Sequence, residues 1–117
     1  MKGALRHIMG AFRYSARGFK AVCKSELAFR LDILFCIAAA SAIIVLRIPM
    51  AHKLWLASTL FFIIAAELIN TAIEYVVDRI GPQRHELSGA AKDAGSALVL
   101  TAFAYAAFLW IMILFFV

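Results

Sequence analysis

Residues 54–78 read LWLASTLFFIIAAELINTAIEYVVD, an apolar run interrupted by Glu67, Asn70 and Glu74 and closed by Asp78. About 20 apolar residues cross a hydrocarbon core, so this run is long enough to span a membrane. A carboxylate inside such a segment costs on the order of 3 kcal/mol on insertion scales, which makes each one a pointer to function. At about 100° per residue, Asn70, Thr71, Glu74 and Asp78 all fall within about 60° of Glu67. With a rise of about 1.5 Å per residue, the five form one polar ridge about 16 Å long.

The chain around that ridge is 117 residues, 65% hydrophobic and 16% charged, with a mean hydropathy of +0.91. A soluble domain of this size buries roughly 60 to 68% of its unfolded surface, which leaves no room for so many Ala, Ile, Leu and Phe side chains. Lipid must be the solvent for part of it. The length excludes a multidomain enzyme. The 6 glycines are scattered, with no phosphate loop or dinucleotide-binding turn among them, so any nucleotide chemistry needs an unusual site. Cys23 and Cys36 fall in a surface helix and a span, and read as small apolar fillers rather than as a disulfide or a metal site. The net charge of +5 points first to an anionic membrane leaflet and not to nucleic acid.

Outward from the ridge, charge and hydropathy fix the organisation. Seven of the 12 Lys and Arg residues precede the first apolar run, Leu31 to Leu46. In that N-terminal stretch Leu5, Ile8, Met9, Phe12, Ala16, Phe19 and Cys23 share one helical sector, beside another holding Lys2, Arg6, Arg13, Arg17, Lys20 and Lys24. The pattern describes a helix lying on a membrane surface, and it lacks the compact apolar core and cleavage site of a signal peptide. The first span follows, with Asp32 near its start, small residues from Ala38 to Ala42, and Pro49 as its stop. Gly81 and Pro82 stop the second, and Ser88 is the expected N-cap of the third. The expectation is therefore an all-α membrane protein: one domain over residues 1–117, an amphipathic surface helix at about 4–24, and transmembrane helices at about 29–48, 54–78 and 92–116.

Basic residues number seven before the first span, two in the first connection (Arg47, Lys53) and three around the second (Arg79, Arg84, Lys92). The positive-inside rule places the N-terminus and the second connection in the cytoplasm and the C-terminus outside. The polar ridge thus ends toward ATP-containing solution. So many oxygen acceptors on one stripe repel one another unless protonated or held by cations, and their hardness suits Mg²⁺ with phosphate ligands better than zinc. The plainer alternative makes Glu67 and Glu74 interhelical hydrogen-bonding groups, but the span interiors offer no Lys or Arg to neutralise them. Three spans are few to shield such a stripe from lipid, so a homo-oligomer is expected. Glu26, Lys92 and Asp93 lie at the cytoplasmic interface, and Lys92 and Ser96 are four apart on one helix face, a possible phosphate contact.

The run Glu67-Leu-Ile-Asn-Thr-Ala-Ile-Glu74, then Val77-Asp78-Arg79-Ile80-Gly81, then His85-Glu-Leu-Ser-Gly-Ala-Ala-Lys92-Asp93-Ala-Gly-Ser96, closely resembles the prokaryotic diacylglycerol kinase family. The likeness extends to Tyr14-Ser15, Gly18 and Glu26-Leu-Ala-Phe-Arg30. It implies a small membrane kinase, homotrimeric, that moves the γ-phosphate of MgATP to a lipid hydroxyl in the bacterial inner membrane, at sites shared between neighbouring protomers. By motif position it makes Glu67 the general base and lipid contact, Glu26 and Glu74 the Mg²⁺ carboxylates, and Ser96 a residue near the lipid. It assigns Asn70, Lys92, Asp93, Tyr14, Gln83, Arg84 and His85, with Glu26 and Glu74, to the nucleotide. Where the family has an N-terminal Arg this chain has His7, with Arg6 adjacent, and either can serve; Asp78 is a further candidate.

The ridge supports such roles by its depth. Glu67 lies about 16 Å and Glu74 about 6 Å deeper than Asp78 along the helix, which suits a lipid hydroxyl at Glu67 and a polyphosphate nearer water. The expected substrate is diacylglycerol, since the His85-Glu-Leu-Ser-Gly form of the second connection looks like that branch of the family; a polyprenol such as undecaprenol is the rival. A proton-coupled cation or drug transporter is the alternative from another class. It is disfavoured because the outer half of the third span has no ionisable group except Tyr105.

Overall fold

The computed structural model describes residues 1–117 and is entirely helical outside its short connections: α1 (Lys2–Ser25), α2 (Leu27–Val45), α3 (Met50–Ile80) and α4 (Glu86–Phe115). α2, α3 and α4, of 19, 31 and 30 residues, are each long and apolar enough to cross a membrane. Their ladders reach past the apolar runs because backbone hydrogen bonding continues into polar sequence as long as caps allow.

Each break in the helices has a local cause. Glu26 alone separates α1 from α2, with extended dihedrals of φ −118° and ψ 110°. The guanidinium of Arg30 reaches back from α2 and donates to the carbonyls of Cys23 at 2.6 Å and Lys24 at 3.1 Å, two acceptors that the end of α1 leaves free. The expected stop at Pro49 is displaced. α2 ends at Val45, Leu46 is extended, and Lys53 Nζ donates to the Ile44 carbonyl at 2.9 Å. Pro49 instead opens α3, where its fixed φ suits a helix start and its missing N–H costs nothing. At the other end of α3, Gly81 has φ +151°, a conformation that a side chain disfavours, and Pro82 prevents continuation.

Ser88 is not the N-cap of α4. That position belongs to His85, whose Nδ1 accepts from the Leu87 N–H at 3.1 Å, and Ser88 lies within the first turn. An imidazole nitrogen presented from an extended residue replaces the hydroxyl oxygen of a conventional cap. The connection is consequently short, residues 81–85.

α3 is the central element. It packs along α4 most extensively and carries α2 on another face, while α1 touches mainly the start of α2. One apolar cluster joins Ile43, Leu56, Leu60 and Ile113, and a second joins Ile63, Ala66, Ala102 and Ala106. The three alanines let the backbones of α3 and α4 approach closely, the usual means of gaining dispersion contact where lipid removes the hydrophobic drive between helices. Thr59 is fully buried there; its hydroxyl donates to the Leu56 carbonyl at 2.6 Å and accepts from Trp110 Nε1 at 3.3 Å. Phe29, also fully buried, lies 6.5 Å from the Phe19 ring and joins α1 to α2. The outward faces are different: Leu34, Ile44, Phe61 and Leu100 all stand exposed, surface for lipid or another protein to cover.

Candidate active site

The ridge on α3 forms as one continuous stripe whose burial grades along the helix. Glu67 is 9% exposed and Thr71 3%, Asn70 and Glu74 are half-buried, and Asp78 is open. Asn70 Nδ2 donates to Glu74 Oε1 at 3.4 Å, so the amide and the carboxylate one turn on are held together. The other face of Asn70 meets α4 at Gly95. A Cβ there would collide with Asn70 Oδ1 and reach 3.5 Å from Ile73 Cδ1, so glycine is what permits Asn70 to sit between the helices. Asn70 Oδ1 is itself buried without a hydrogen-bond partner.

No cation neutralises the deep acids. The only ion pair in the chain joins Lys92 Nζ to Asp78 Oδ1 at 2.9 Å, with the two side chains 46% and 66% exposed. Lys92 therefore stands at the mouth of the ridge and not beside Glu67. The carboxyls of Glu26 and Glu74 lie close enough to Glu67 to act on it electrostatically. No group of three or more His, Cys, Asp or Glu is placed to hold a metal without other ligands. Glu26 and Glu74 offer hard carboxylate oxygens, a donor type that a divalent cation such as Mg²⁺ takes in ones or twos alongside phosphate oxygens and water.

Asp32 is the residue that the linear pattern did not bring to the site. It stands on α2 near enough to Glu67 for the two carboxyls to act on one another, and its Oδ2 is buried with no donor. An ionisable residue inside a predicted span was the available signal, but periodicity within α3 says nothing about what α2 presents to it.

The remaining expected residues fall into two groups. Asp78, Gln83, Arg84, His85, Lys92 and Asp93 all line one open cleft of about 750 Å³ between the end of α3 and the start of α4. Arg6, His7 and Tyr14 line a separate hollow built wholly from α1, and within one chain no other helix contributes to it. The guanidinium of Arg17 lies 5.6 Å from the centre of the Tyr14 ring. Ser96 is exposed on α4, one residue beyond Gly95.

Comparison with known proteins agrees with the motifs. The family model described as prokaryotic diacylglycerol kinase matches residues 13–114. The diacylglycerol kinase of Haemophilus influenzae is 39% identical over 112 residues, 96% of this chain and 95% of the relative. That of Escherichia coli K12 is 39% identical over 107 residues, covering 92% and 88%, and that of Pseudomonas aeruginosa 34% over 110, covering 94% and 89%. With the acidic ridge, the polar cleft at its mouth and three helices of membrane-crossing length all in one short chain, this agreement is decisive: the chain belongs to the prokaryotic diacylglycerol kinase family.

Proposed function

We propose that this membrane protein moves the γ-phosphate of ATP onto the free hydroxyl of diacylglycerol, giving phosphatidic acid and ADP at the cytoplasmic face of a bacterial inner membrane. The observation that carries the reading is Glu67: a carboxylate 9% exposed in a membrane-crossing helix, without a cationic partner, on a stripe that opens into a polar cleft. A buried acid kept at that cost has chemistry to do.

Glu67 accepts the proton of the lipid hydroxyl as its oxygen bonds to the γ-phosphorus. The bond from that phosphorus to the bridging oxygen breaks, and ADP departs with the electron pair. Glu26 and Glu74 would hold Mg²⁺, which when bound screens the β- and γ-phosphate charge. Lys92 exchanges Asp78 for phosphate oxygens. Asn70 and Asp93, with Gln83, Arg84 and His85 of the cleft, orient the nucleotide, and Ser96 faces the lipid. Positioning and electrostatics supply most of the rate, as phosphoryl transfer requires little covalent help.

The assembly is a homotrimer with shared sites. The exposed apolar faces of all three spans and the separation of Arg6, His7 and Tyr14 from the cleft both support it, since neighbouring copies cover the first and complete the second. α1 lies on the membrane surface as an amphipathic helix, its basic sector facing anionic headgroups. The N-terminus and residues 81–85 are cytoplasmic and the C-terminus is outside. Labelled phosphate transfer from ATP by the purified protein in micelles tests the reading: transfer to diacylglycerol is expected, and exclusive transfer to a polyprenol would reject the substrate.

A further inference from the structure

We infer that Ser25 and Tyr75 form a hydroxyl clasp that sets the spacing of Glu26 and Glu74, making both hydroxyls positioning residues for the divalent ion. The inference rests on the reading of those two carboxylates as metal ligands. Ser25 Oγ and Tyr75 OH are 2.5 Å apart although 50 residues separate them, and theirs is the one side-chain hydrogen bond linking α1 to α3. Each hydroxyl belongs to the immediate chain neighbour of one carboxylate: Ser25 precedes Glu26, and Tyr75 follows Glu74.

The placement matters because Glu74 and Glu26 are held so differently. Glu74 rides in the middle of a 31-residue helix, with Asn70 donating to it one turn back. Glu26 is the extended residue between two helices; its N–H bonds the Val22 carbonyl at 2.9 Å and its carbonyl accepts the Arg30 N–H at 3.3 Å, so its backbone is tied to α1 and α2 but not to α3. Nothing in helix geometry fixes the Glu26 carboxylate relative to α3. Arg30 sets the angle of the joint along the chain through its bonds to Cys23 and Lys24, and the hydroxyl pair ties that joint across to α3. Tyr75 leaves α3 about 100° round from Glu74, so the phenol reaches sideways to the joint without entering the ligand stripe. Mg²⁺ demands near-ideal octahedral geometry, so two carboxylates from separate elements need such a tie to present a fixed spacing.

Mn²⁺ binding by the purified full chain in micelles, followed by electron paramagnetic resonance with a non-hydrolysable ATP analogue present, tests this without turnover. Tyr75→Phe keeps the ring and removes only the oxygen, and Ser25→Ala removes its partner. Each is expected to weaken Mn²⁺ binding about three- to tenfold, the effect of one net hydrogen bond. The double variant should be no weaker than either single one, and Ser25→Thr should restore binding. In turnover assays the Mg²⁺ requirement should rise while KM for the lipid holds. Wild-type Mn²⁺ binding by Tyr75→Phe, or additive losses, overturns the clasp. Glu26→Gln and Glu74→Gln separate the two readings: if they abolish Mn²⁺ binding while Tyr75→Phe leaves it intact, the clasp alone is wrong. If neither weakens it, the ligand assignment fails and the clasp fails with it.

Discussion

α1 and α3 are both long helices dotted with ionisable residues, yet only α3 buries any. Val22 is the one buried side chain of α1, and Leu5, Ile8, Met9 and Phe12 stand as open as the basic residues between them. α3 buries eight, Glu67 and Thr71 among them. The difference follows from neighbours. α3 is flanked by α2 and α4, so one turn of its stripe is desolvated and the next reaches water, whereas α1 meets mainly the start of α2 and touches α3 through Ser25 at its very end. A carboxylate acquires chemical consequence when packing removes its water and leaves it without a cationic partner; the same side chain on an open helix remains a solvated charge.

The largest expected effect tests the buried end of this contrast. Glu67→Gln preserves shape and removes the proton acceptor, so kcat for phosphate transfer should fall about 10²- to 10⁴-fold while assembly and nucleotide affinity persist. Turnover equal to wild type would remove Glu67 as the base.

Next comes the contact that allows the burial. Gly95→Ala forces its new methyl against Asn70, and the displaced amide loses its bond to Glu74. A loss of about 1 to 3 kcal/mol is expected by thermal unfolding in detergent, with a raised KM for ATP. An unshifted melting curve would mean that α3 and α4 leave room for a methyl group at Gly95.

The exposed end of α3 should be more tolerant. Asp78→Asn breaks a pair whose members are 46% and 66% exposed, so stability should change by less than about 1 kcal/mol. A larger loss would show that this end is shielded in the assembly.

On α1, Phe12→Gln alters a side chain 74% exposed. Unfolding of the helical bundle in detergent should stay within about 0.5 kcal/mol of wild type, while retention on anionic vesicles weakens. A destabilised bundle would mean that Phe12 packs against the spans and that α1 is not the open helix of the pair.

Much of this molecule follows from residue order alone, because lipid imposes simple rules. A backbone that finds no water in the bilayer must form helices, so apolar length yields the three spans, and a period of 3.6 residues places Glu67, Asn70, Thr71, Glu74 and Asp78 on one stripe. Gly81-Pro82 stops α3 by local sterics. What needed the tertiary structure were the relations between helices. That Asp32 of α2 lies near Glu67, that Gly95 of α4 makes room for Asn70, and that Tyr75 reaches Ser25 all depend on how the helices rotate about their axes and how closely they approach. Hydropathy is nearly uniform round α2 and α4, so their patterns carry little information about which side faces α3. Only the fit of small residues between α3 and α4, and the joint at Glu26, decide those rotations.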